Sequence, residues 1–124
     1  MTKAPIVAVL PHGCPPADAA DVDAAVFYIV KENPCAAQDF KSQAERGLAK
    51  DGDPCCRCGI SVWLDEEHAR YKARQYQRLG KLIARAQLTP PHGKLKQTFA
   101  PPHHTWWPSD GVERHSLFEV VAAV

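Results

Sequence analysis

The chain has 124 residues, with 15 Lys and Arg against 14 Asp and Glu, a net charge of +1 and 45% apolar residues. That is ordinary globular usage: it excludes a disordered, highly charged chain, and it is enough length to bury a core. The longest apolar stretches, such as Ala24 to Val30 before Lys31, fall far short of the roughly 20 residues that cross a bilayer. The two halves differ in charge, since residues 1–67 carry eleven acids and six bases while 68–124 carry nine bases and three acids. Between His68 and Ser109 there is no Asp or Glu, a pattern that points to an anion-facing surface.

Residues 1–22, rich in Pro, Ala and Gly, predict a loosely ordered segment with one short edge strand at 6–10. Ala24–Lys31 reads as a buried strand from its β-branched and aromatic content. Asn33-Pro34 is a helix-start signal, and Ala36, Phe40 and Ala44 at spacings of four predict an amphipathic helix ending near Gly47. Lys50 to Pro54 is turn chemistry. Gly59–Leu64 predicts a strand. Asp65 then caps a second helix, whose face of Ala69, Ala73 and Tyr76 ends at Gly80. Leu82, Ala84, Ala86 and Leu88 alternate with Ile83, Arg85 and Gln87, a strand with one buried face stopped by Pro90 and Pro91. Strands at 95–99, 103–107 and 117–121 complete a single α+β domain over 1–124: a small mixed or antiparallel sheet with two helices mainly on one face.

Four groups of residues carry candidate chemistry. Cys55 and Cys58 have the spacing that presents two thiolates to zinc, half of a structural site, against a plainer reading as small buried or loop cysteines. With five cysteines, three of them within four positions, a reduced compartment fits better than a disulfide framework, and cytoplasmic localisation follows. His103-His104-Thr105-Trp106-Trp107 alternates faces, so at most one histidine serves a site, and one tryptophan enters the core while the other faces out to a partner; His104, Trp106 and Trp107 are taken as binding candidates. Arg70, Arg74 and Arg78 recur every four residues and Lys81 extends them, a ridge suited to an acidic protein partner or to nucleic-acid phosphates, unless it is a solvated helix face. Ser61 and Glu119 are polar positions flanked by apolar strand residues, which alternation can also turn to solvent.

The segments Phe27-Tyr28-Ile29-Val30-Lys31, Asp39-Phe40, Gly59-Ile60-Ser61-Val62 and His104-Thr105-Trp106-Trp107 resemble a set of short bacterial proteins to which no activity attaches. More distantly, Tyr28, Ser61 and Glu119 are similar in order to the cleft residues of the compact ADP-ribosyltransferase-like fold. That resemblance implies an NAD-using enzyme with these three as catalytic residues. The early-strand Arg or His of that fold has no counterpart, the neighbours of Tyr28 being Phe27 and Ile29. The expectation is thus an interaction protein that meets an acidic partner through its basic helix and exposed aromatics, with the NAD enzyme and nucleic-acid binding as alternatives.

Overall fold

The structure, a computed structural model, describes residues 10–47 and 52–124. Seven strands form two antiparallel sheets: β1 (Ala20–Asp21), β2 (Ala24–Val30), β3 (Ile60–Val62), β4 (Leu82–Leu88), β5 (Gly93–Gln97), β6 (His104–Pro108) and β7 (Glu119–Ala123). One sheet has the order β1-β5-β6-β3 and the other β2-β4-β7. With the helices α1 (Gln43–Arg46), α2 (Pro54–Arg57) and α3 (Glu66–Gln75), the class is α+β, with two sheets where one was expected.

The alternation seen in the sequence explains the layering. Val26 and Val30 of β2 and Ala84, Ala86 and Leu88 of β4 turn to one side, where they meet Ile60, Val62 and Trp106 of the other sheet with Phe40 and Phe118. The odd-numbered positions Ile29 and Ile83 turn the opposite way and pack with Trp63, Ala69 and Ala73, so α3 covers the outer face of the three-stranded sheet. Asp65 caps α3 through the N–H of Glu67, as its position before two glutamates requires.

The helix expected over 34–47 is broken. A 3-10 turn at Ala37–Phe40 is followed by Lys41 in extended geometry, and α1 then restarts with Ser42 and Glu45 capping each other reciprocally. Burying Phe40 between Tyr28 and Phe118, with ring centroids 4.8 and 4.9 Å away, turns the chain inward and ends the first turn. Gly47 takes the left-handed closing position at φ 70°. Residues 6–9 of the expected N-terminal strand lie outside the described residues. The described part of the segment expected to be loose is tied down: β1 pairs with β5, Val22 is fully buried, and Cys14 is bonded to Cys55.

That bond corrects the expectation of reduced cysteines. It spans 41 positions, a contact between remote segments that spacing cannot reveal. Cys35, Cys56 and Cys58 are free. Among the described residues no helix is long and apolar enough to cross a membrane.

Candidate functional site

The two sheets touch through their edge strands at one point. Phe27 N–H donates to the Trp63 carbonyl at 2.7 Å and Trp63 N–H to the Phe27 carbonyl at 3.0 Å. Beyond this bridge β2 and β3 diverge. The gap between them is a cleft of about 530 Å³ whose lining includes Tyr28, Ser61, Trp63 and His103.

The walls are basic. Lys31 follows β2, Lys41 and Arg46 come from the break and α1, Lys72 from α3 and Arg78 from the 3-10 turn after it, and all five line the cleft. None of them forms an ion pair with a carboxylate among the described residues. Asp39 is the one carboxylate in the lining among the described residues, and its Oδ2 already accepts from the N–H groups of Lys31 and Glu32 at 2.9 and 3.2 Å. Lys72 and Arg78 lie over the Tyr76 ring, 5.0 and 5.8 Å from its centroid, which holds both cations at the rim. Arg46 donates to the carbonyls of Lys41 and Gln38, contacts that position its guanidinium without neutralising it.

Within the cleft Ser61 and His103 are joined. Ser61 Oγ lies 2.8 Å from His103 Nε2, and His103 Nδ1 lies 3.0 Å from Thr98 Oγ1, which in turn lies 2.7 Å from the buried Thr105 Oγ1. Burial, with Lys72 and His104 as nearby positive charge, pushes His103 below the ordinary histidine range. Trp63 meets the imidazole edge-on, and Phe99, 70% exposed and at φ 56°, also packs on it. Burial pushes the Tyr28 hydroxyl up to about 12, so it stays protonated and donates to the Asp39 carbonyl.

The structure brings Tyr28 and Ser61 into the same cleft and leaves Glu119 outside it. Glu119 is exposed on β7, opposite Arg85 and two strands from the cleft edge. The arginine ridge is divided. Arg70 is half-buried, paired with Glu66 at 2.9 Å and bonded to the Ala123 carbonyl. Arg74 is exposed on α3, which ends at Gln75, so Arg78 and Lys81 do not continue its face. His104 donates from Nδ1 to the Pro102 carbonyl and does not line the cleft. Neither Trp106 nor Trp107 is exposed. Trp106 fills the core and donates to the His92 carbonyl, while Trp107, on the other face, is covered by α2 and donates to the Cys55 carbonyl. Cys55, being disulfide-bonded, cannot pair with Cys58 as a thiolate ligand, and burial pushes the Cys58 thiol up.

The chain matches no protein-family model, no curated protein and no solved structure. His103 is the member that reading the sequence missed: strand alternation placed His103 and His104 on opposite faces, and only the pairing of Ser61 with Thr105 across β3 and β6 puts His103 beside the serine.

Proposed function

We propose that the protein binds a small anionic ligand, bearing phosphate or carboxylate groups, in the cleft between β2 and β3. The observation that carries this reading is the convergence of Lys31, Lys41, Arg46, Lys72 and Arg78 on one cavity whose single carboxylate among the described residues already accepts from backbone N–H groups. Five like charges on one concavity repel each other, and a bound anion removes that cost. A cavity of about 530 Å³ is the size that encloses a small molecule, whereas a protein partner meets a broader surface.

This moves the acidic partner from the α3 ridge and the tryptophans to the cleft. It also separates the site from NAD chemistry, which needs a carboxylate facing the nicotinamide ribose; Glu119 lies elsewhere and Asp39 is committed to Lys31 and Glu32. The Cys14–Cys55 bond favours an oxidising compartment over the cytoplasm.

Calorimetric titration with pyrophosphate at two salt concentrations tests the reading. Binding should weaken with salt, and Lys72→Glu or Arg78→Glu should weaken it about tenfold or more, the scale of one charged hydrogen bond. Arg74→Glu, outside the cleft, should leave it unchanged. Equal losses in all three variants, or no binding, would remove the cleft from consideration.

A further inference from the structure

The anion-binding reading leaves the Ser61–His103 pair unexplained, because recognising a charged ligand needs neither a hydroxyl nor a neutral imidazole. The pair has an order that fits proton transfer. With Nδ1 protonated and donating to Thr98 Oγ1, and Thr98 donating to Thr105 Oγ1, the Nε2 lone pair is left facing the Ser61 hydroxyl 2.8 Å away. Thr98 and Thr105 then stand where a triad would place its orienting group. The ring is in contact with two aromatic side chains, Trp63 at 5.8 Å and Phe99 at 5.0 Å between centroids.

The strand edge supplies the rest. Trp63 spends its N–H and carbonyl on Phe27. In a pleated strand the residue two positions away directs its groups to the same side, so Ser61 N–H points across the gap toward β2. A carbonyl attacked by Ser61 would place its developing oxyanion near that N–H, in a cleft that Lys72 also lines.

From this arrangement we propose that Ser61 is a nucleophile and His103 its general base, in acyl transfer from an ester that carries an anionic group. The identity of the anionic group rests on the binding reading above; the Ser61–His103 chemistry does not. Ser61 Oγ would bond to the acyl carbon as His103 Nε2 takes its proton. The C–O bond to the leaving alcohol then breaks, and His103 returns the proton to that oxygen. Water, deprotonated by the same imidazole, cleaves the acyl-serine to a carboxylic acid and restores the hydroxyl.

An uncharged alkyl fluorophosphonate tests this without requiring the substrate: a P–O bond forms at Ser61, fluoride leaves, and mass spectrometry locates the adduct. One adduct per chain on the peptide containing Ser61 is expected, absent in Ser61→Ala, and forming at least tenfold more slowly in His103→Gln with an unchanged circular dichroism spectrum. In the unaltered protein the labelling rate should rise with pH through a midpoint below 6.5, the ordinary histidine value, a dependence that a merely structural histidine would not produce. No adduct, an adduct at another residue, or an equal rate in His103→Gln would overturn the proposal. Pyrophosphate should slow labelling. Labelling at Ser61 that pyrophosphate leaves untouched would overturn the anion-binding reading and the anionic substrate, with the nucleophile and base standing.

Discussion

Phe27 and Trp63 exchange both of their free backbone groups, at 2.7 and 3.0 Å, and this is the point where the edges of the two sheets join. The Trp63 side chain then packs with Ile29, Ala69, Ala73 and Ile83, so one residue holds the cleft's apex and the second core together. Trp63→Ala should cost about 3–5 kcal/mol, the range for emptying a buried tryptophan site. It should also weaken pyrophosphate binding, because the two walls lose their common anchor. Urea unfolding and titration of the same sample measure both.

Reduction of the Cys14–Cys55 bond, or Cys14→Ser, should lower stability by roughly 3–4 kcal/mol, the loop-closure value for a separation of this length. Unreduced protein should take up three equivalents of an alkylating reagent when unfolded, at Cys35, Cys56 and Cys58. Five equivalents would show the bond to be missing.

His103 should make the protein less stable in acid. Its folded-state affinity for protons is depressed, chiefly by burial, with Lys72 of α3 and His104 of β6 as the neighbouring charges and Ser61 and Thr98 as its hydrogen-bond partners. The contribution is therefore present above the unfolded-state value of 6.5 and is lost as pH falls below it. Thermal unfolding of the unaltered protein between pH 7.5 and 5 should fall more steeply than that of His103→Gln. Identical curves would contradict the shift.

Arg114 holds Glu45 in a two-pronged pair at 2.7 and 3.0 Å and donates to the Phe40 carbonyl at 2.6 Å, which fastens α1 to the segment before β7. Burial alone would push the Glu45 carboxyl up, but bonds from Arg114 and from the Ser42 N–H outweigh it and hold it below the usual range. Arg114→Leu leaves that carboxylate with its other partner only, and should destabilise by about 2–4 kcal/mol. Part of that loss should vanish as falling pH protonates Glu45, which denaturant titrations at pH 7 and at successively lower pH can resolve.

Gly93 and Gly111 both have positive φ, 133° and 81°, yet their surroundings differ. A Cβ on Gly93 would overlap the Trp107 carbonyl oxygen, whereas one on Gly111 meets open space. Gly93→Ala should therefore lower the melting temperature clearly more than Gly111→Ala, which carries backbone strain alone.

The strands β2 and β4 and the start of α3 were legible because each rests on local pattern: an apolar run, strict alternation, and Asp65 followed by Glu66 and Glu67. The break at Lys41 ran against the local pattern, because the recurrence of Ala36, Phe40 and Ala44 predicts one continuous helix. Here Phe40's burial overrode helical period. The site depended on relations that no local pattern contains. Tyr28 and Ser61 were singled out on order along the chain and do share the cleft, while Glu119 was singled out on the same ground and does not. His103 became distinguishable from His104 only through the register of β3 on β6, and Trp107 was covered by α2 because a disulfide holds that turn against Cys14.

Linking Cys14 to Cys55 makes the intervening chain a covalent ring, and the ring contains one entire wall of the cleft: Tyr28, Lys31, Lys41 and Arg46 lie inside it, while Ser61, Lys72, Arg78 and His103 lie outside. A protease that cuts once within the ring yields two polypeptides still joined through sulfur, which separate on a gel only after reduction. A cut beyond Cys55 frees a fragment at once if the core opens. After a cut between Cys55 and Ser61 the wall bearing Lys31, Lys41 and Arg46 stays within the ring, whereas the wall bearing Ser61, Lys72, Arg78 and His103 keeps only noncovalent attachment to it.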